Sequence, residues 1–153
     1  MINFLNEKSY KSNEMHDFEH ILGNLLKNEK IISLDVGAQG GFNSDNFFAE
    51  RYNKFFEDIL IEPIKEEFLK IKEKKFVINK GLWSKKNKKT LYILDNRLGS
   101  SSMYKPDEEK FDLHDIKEKD INNYKITRNI EIDCDTISNQ LFELDIKNLD
   151  YLK

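Results

Sequence analysis

The chain has almost no cysteine: one, Cys134, in 153 residues. That excludes an internal disulfide and fits a reducing, cytoplasmic setting. Cys134 sits in an alternating run and reads as a small half-buried apolar residue, not as a nucleophile. Long apolar runs are also missing; the longest are a few residues, far short of the roughly 20 that a membrane-spanning helix needs. The opening residues, Met1-Ile2-Asn3-Phe4-Leu5-Asn6-Glu7, carry neither the basic nor the apolar block of a signal peptide. Neither sign of charge dominates. Lys+Arg number 25 against Asp+Glu 28, a formal net charge of -3, so no global field draws in nucleic acid. No internal repeat is visible. The length is that of one ordinary domain, and 35% of it is charged.

Hydrophobic spacing organises the first half. Met15, Phe18, Ile21, Leu22, Leu25 and Leu26 recur at helical intervals over 14–28. Ile31–Val36 is a short apolar run ending at glycines, which predicts a buried strand. Ser44 is placed to cap a helix carrying Phe47, Phe48, Tyr52, Phe55 and Phe56. A second buried strand is expected over Asp58–Glu62, stopped by Pro63, then a helix over 64–74 and a third strand over Lys75–Asn79. Strands alternating with helices imply a parallel sheet. After Gly81 the rhythm changes. Leu82-Trp83-Ser84 and Thr90–Leu94 suggest a strand pair around a solvated basic turn, Lys85–Lys89, with Trp83 as a packing residue. Residues 105–125 form a charge-dense connector, Asn129–Cys134 alternates like a strand, 136–144 is weakly helical, and Leu149–Leu152 begins another strand. The reading divides the chain into an N-terminal helical segment (1–30) and an incomplete, mostly parallel α/β sheet domain (31–153) with an added strand pair.

The first turn carries the chemistry. In Asp35-Val36-Gly37-Ala38-Gln39-Gly40-Gly41, the glycines let a ligand lie on the main chain. Were residue 35 a glycine, the pattern would suit a diphosphate. An unpaired carboxylate there repels a dianion and welcomes a cation. S-adenosyl-L-methionine has no phosphate, carries an ammonium and a sulfonium, and offers an adenosine to the turn. Glu62 ends the second strand about 20 residues beyond the glycines, where doubly wound folds place the acid that accepts ribose hydroxyls. Glu62 therefore points to an adenosine ligand, and Asp35 separates the two candidate cofactors. His16 and His20 share a helical face, but without a third ligand they read as a surface pair, and no metal is expected.

These residues together resemble the FkbM-type methyltransferases, class I enzymes that use S-adenosylmethionine. Asp35–Gly41 is similar to the family's "DVGANxG" block and Glu62-Pro63 to its "EP". Asn79-Lys80-Gly81-Leu82-Trp83-Ser84 is similar to its "N-x-A-L-S" segment, and Gly99-Ser100-Ser101-Ser102-Met103 to its "G-S-S-L" stretch. Cys134-Asp135-Thr136-Ile137 resembles a "TLD" block with the acid displaced, and Leu149–Lys153 resembles the start of "D-F-I-K-I-D-x-E-G-A-E". Gln39 stands where asparagine is usual, and Gly81 where alanine is commoner.

The resemblance implies a Rossmann-like class I methyltransferase fold and S-adenosyl-L-methionine as cofactor. Its cofactor residues would be Asp35, Gly37, Ala38, Gln39, Gly41, Glu62, Gly81, Leu82 and Ser101, with Ser102 a weaker candidate. It further implies a saccharide or secondary-metabolite hydroxyl as acceptor. The family's later strands are absent, so the chain is expected to be the cofactor-binding half, with little turnover alone and a sheet edge open to self-association. The competing expectations are a nicotinamide-dependent oxidoreductase fragment and a non-catalytic binding module that keeps the fold.

Overall fold

The computed structural model of the chain describes residues 12–42, 50–107, 110 and 117–153. They form an α/β protein with a four-stranded parallel sheet and a separate three-stranded mixed sheet, an arrangement compatible with a Rossmann-like fold. The chain divides into two units, Met1–Asn79 with Ser138–Lys153, and Lys80–Ile137.

In the first unit, α1 (Ser12–Leu26) leads into β1 (Ile31–Val36). Next come β2 (Phe56–Ile61), α2 (Lys65–Ile71) and β3 (Phe76–Ile78). The strands lie in the order β3-β2-β1-β7, where β7 is Tyr151–Leu152 at the sheet edge. β1 pairs with β2 over its whole length, from Ile31 opposite Phe56 to Val36 opposite Ile61. Its other edge takes β7, with Ser33 opposite Tyr151 and Leu34 opposite Leu152. Asp150 fixes this register, its N–H donating to Ile32 O and its carboxylate accepting from Ile32 N at 2.8 Å. Successive strands step outward from β1 to β3, and β7 then adds on the opposite side. The order therefore reverses between β1 and β7, where open α/β sheets place ligands beyond the carboxyl ends of their strands.

Period-two alternation sorts the side chains between the two sheet faces. Leu60 joins Ala38, Phe42, Tyr52, Phe55 and Ile71 in a buried core, against which Phe18, Leu22, Leu26, Phe56, Val77 and Tyr151 pack. Full burial of a large aliphatic or phenyl side chain such as Leu60, Ile71 or Phe42 contributes about 1.5–3 kcal/mol relative to exposure. The helix stripe proves narrower than the periodicity suggests. Phe18, Leu22 and Leu26, four residues apart, face the core, while Ile21 and Leu25 are 52% and 72% exposed. Residues next in sequence are turned about 100° around a helix, so Ile21 and Leu25 flank the buried line.

The helix expected around Phe47–Phe56 is corrected in its described part. Glu50–Phe55 is a 3-10 segment whose Tyr52 and Phe55 are buried, and Phe56 already belongs to β2. The parallel register with Ile31 claims Phe56 for the sheet. Ser44, Phe47 and Phe48 lie outside the described residues.

The second unit holds β4 (Gly81–Leu82), β5 (Asn87–Ile93) and β6 (Arg128–Asp135), in the order β4-β6-β5. The expected strand pair is thus corrected: β4 and β5 flank β6 and do not pair with each other. The basic turn is also shorter than predicted. Asn87, Lys88 and Lys89 are already ladder residues of β5, opposite Cys134, Asp133 and Ile132 of antiparallel β6. Lys88 Nζ lies 2.7 Å from Glu131 across the strands, an exposed pair on a ladder whose buried side is held by Leu91, Ile93, Ile132 and Cys134. Two 3-10 segments, Asp95–Ser100 and Glu118–Tyr124, are joined by the Arg97–Tyr124 contact and by Asn96 Nδ2 donating to Asn122 O. The short helix α3 (Ile137–Glu143) precedes the return to β7. Among the described residues no helix is long and apolar enough to cross a membrane.

Candidate functional site

The turn after β1 is knitted onto the end of β2. Gly37 N and Ala38 N both donate to Ile61 O, at 2.8 and 3.1 Å. Gln39 N then donates to Gly37 O and Gly41 N to Ala38 O, closing two tight bends. Gly37 and Gly41 take φ of +80° and +102°, conformations that side chains rarely adopt. A Cβ built on either would meet no atom within 4 Å, so the space beside both is open. Ala38 differs: its methyl is buried in the core and its N–H is committed to Ile61, which makes it a packing residue of the turn.

Three charged side chains meet at this end of the sheet. Asp35 is 4% exposed and Glu62 2%. Glu62 continues the β2 ladder, its N–H donating to Ile78 O, and its Oε1 accepts from Ile64 N at 2.7 Å. Burial pushes the Glu62 carboxyl above the usual carboxylate range; the Ile64 N–H opposes this, and the negative charges of Glu67 and Asp35 reinforce it. Asn79 braces the same corner, its Nδ2 donating to Glu62 O and Pro63 O. Lys153 supplies the cation. Its Nζ lies 3.6 Å from Asp35 Oδ2 and donates to Phe42 O at 2.8 Å, with the Phe42 ring centroid 5.7 Å away.

The strand ladder explains that meeting. Lys153 N donates to Leu34 O and Val36 N to Lys153 O, which sets Lys153 beside Asp35 on β1. Tyr151 and Lys153 then alternate onto the face that carries Asp35, and Tyr151 packs edge-on against Phe42. A second polar pair lies earlier along the sheet, between β1 and β2. Ser33 Oγ donates to Asp58 Oδ1 at 2.8 Å, and burial holds Asp58 above its usual range against that bond and against Lys74 and Lys153.

Asp35, Gly37, Ala38, Gln39, Gly41 and Glu62 thus stand together at the ends of β1 and β2. Gly81, Leu82 and Ser101 belong to the second unit. Gly81 sits in a crowded place: a Cβ there would lie 2.9 Å from Ile132 Cδ1, the end of a side chain, and 3.0 Å from Cys134 Sγ. Leu82 continues the β4 pairing opposite Asp135. Ser101 Oγ accepts from Leu94 N, and Ser102 Oγ from Tyr104 N, so both hydroxyls shape their own loop. Trp83 packs against Tyr104, and Lys89 Nζ lies 3.9 Å over its ring. Cys134 is buried near Met103, and burial raises its thiol. Asp135 is 1% exposed, 3.9 Å from Lys80 Nζ and accepting from Thr136 N. His20 meets Asn24 on the α1 surface, and among the described residues no cluster of three or more His, Cys, Asp or Glu side chains is able to hold a metal ion.

Sequence reasoning passed over Lys153, Asn79 and the Ser33–Asp58 pair. The signal for Lys153 was available: in a strand through Tyr151 it shares a face with whatever Tyr151 packs on. Comparison with protein-family models, with curated proteins and with solved structures finds no match to this chain.

Proposed function

We propose that the chain binds S-adenosyl-L-methionine at the β1 turn and is the cofactor-binding part of an FkbM-type methyltransferase that methylates a saccharide or secondary-metabolite hydroxyl. The fold belonging to this reading is an incomplete doubly wound class I sheet. One observation carries the proposal. Two positive-φ glycines with open space beside them lie at the reversal of strand order, flanked by buried carboxylates on adjacent strand ends.

The residues present fit such a ligand. Gly37 and Gly41 leave room for it against the backbone, Asp35 offers a negative charge to its cationic end, and Glu62 offers a carboxylate to the ribose. Bound there, the cofactor supplies a methyl group on a positively charged sulfur. Asp35 and Glu62 hold and orient it at the ends of β1 and β2.

The nicotinamide alternative gains one supporting observation, because Lys153 beside Asp35 offsets part of the repulsion that a diphosphate would meet. Isothermal titration of the chain with S-adenosylmethionine, S-adenosylhomocysteine and NADH separates the two readings. Binding of the first two and not the third is expected; binding of NADH alone overturns the proposal.

A further inference from the structure

We infer that Asp35 and Lys153 form a receptor for the zwitterionic α-amino-acid end of the ligand, with Lys153 taking the carboxylate and Asp35 the ammonium. This rests on the cofactor reading above and deepens it. Lys153 then selects for amino-acid-bearing nucleosides over nucleosides that lack that group.

An α-amino acid carries its two charges on groups attached to one carbon. A receptor for it needs opposite charges side by side, both reachable from one open space. Neighbouring strands about 4.8 Å apart supply the spacing when two in-register residues share a face. Here Lys153 lies beside Asp35 on that face, and 3.6 Å separates Nζ from Oδ2. That is an ion-pair distance, longer than the roughly 2.7–2.9 Å of a direct charge-assisted hydrogen bond between such groups.

The ammonium is steered by the loop. Its bond to Phe42 O ties it to the residue immediately after Gly41, so it stands at the far lip of the glycine turn. The carboxylate is recessed, its side chain 6% exposed against 25% for Lys153. A Cβ at Gly37 or Gly41 would meet no atom within 4 Å, so the turn that joins Asp35 to Phe42 leaves open space beside its backbone. A zwitterion entering there completes an alternating set of four charges, each beside two of opposite sign. A ligand lacking the carboxylate adds a second cation that must share Asp35 with Lys153.

The test compares two ligands on three proteins. S-adenosylmethionine and its decarboxylated form, which keeps the amine and the sulfonium, are titrated calorimetrically into the full chain and its Lys153→Met and Lys153→Arg variants. Circular dichroism melts report folding of each. The wild-type chain is expected to prefer the carboxylated ligand by about tenfold to a hundredfold, the worth of a hydrogen bond to a charged group. Lys153→Met removes the charge but keeps an unbranched stem over Phe42, and the preference should collapse towards unity. Lys153→Arg should retain most of it.

Equal weakening of both ligands in Lys153→Met means that the lysine only supports the loop, and overturns the inference while leaving the cofactor reading intact. An undiminished preference in Lys153→Met overturns it as well. Failure of the wild-type chain to bind either ligand overturns the cofactor reading, and the inference with it.

Discussion

Replacing Gly37 by alanine isolates one property of the turn. Gly37 holds φ at +80°, and a Cβ there meets nothing within 4 Å. The cost is therefore conformational and not steric. Placing a residue with a Cβ in the left-handed region costs roughly 1–2 kcal/mol. Alanine also restricts the unfolded chain, and that offset of at most about 1 kcal/mol applies only where the native φ suits it. A net loss of about 1–2 kcal/mol follows, which lowers the melting temperature of a chain this size by roughly 2–8 °C. Urea titration followed by circular dichroism reads the free energy, and calorimetric titration with S-adenosylhomocysteine reads the site. The new methyl projects into the space assigned to the ligand, so affinity should fall by about tenfold or more while the protein stays folded, as expected where main chain must approach a cofactor closely. An unchanged stability would refute the positive φ. A loss beyond about 3 kcal/mol would mean that the space is filled. Undiminished affinity in a folded variant would move the ligand away from this turn.

Gly81→Ala should also destabilise, but by crowding: its Cβ would lie 2.9 Å from Ile132 Cδ1, and overpacking of this kind costs about 1–3 kcal/mol. Ile132→Val removes that Cδ1, so the double variant should regain part of the loss in the same urea titration; absence of any rescue would refute the packing account. Glu62→Gln should flatten a pH dependence. Burial raises the Glu62 carboxyl, so the folded chain holds a proton that the unfolded chain has released, and this group's contribution to stability falls as pH rises from the ordinary glutamate value through the raised one. The amide still accepts from Ile64 N, and melts from pH 4 to 8 should show a smaller decline for the variant than for the parent, with weaker binding of S-adenosylhomocysteine.

The parallel core was legible because buried strands write themselves as short apolar runs. Ile31–Val36 is the clearest case, since its period is undisturbed and Gly37 ends it abruptly. Glu62 was legible for a similar reason, standing between an apolar strand and Pro63. The three-stranded sheet was not. Its ladder joins β5 to β6 across some forty residues of chain, and no local pattern distinguishes a lysine that pairs across strands from one that points into water. Gly81 shows a packing role that no local pattern carried: Ile132 and Cys134, far along the chain, crowd the place a side chain would take. The face of Lys153 was open to inference from Tyr151, but its partner was not: Asp35 lies on a strand far away in sequence, and only the β1–β7 register brings them side by side.

That pairing changes the electrostatic logic of the site. An isolated Asp35 would exclude a diphosphate by charge alone; an Asp35 beside Lys153 does so less, because two opposite unit charges about 4 Å apart attract by about 4 kcal/mol at an effective dielectric of 20. The remaining bias comes from Glu62, whose buried carboxylate feels the negative charges of Glu67 and Asp35. With all three groups ionised, Asp35, Glu62 and Lys153 sum to one negative charge. A diphosphate adds two more to that corner, whereas a zwitterionic sulfonium nucleoside brings one positive charge in total. On the proposed reading, selectivity would therefore follow the balance of three side chains on adjacent strand ends and not a single aspartate, and neutralising Glu62 should narrow the gap between the two ligand classes more than any change in the glycines.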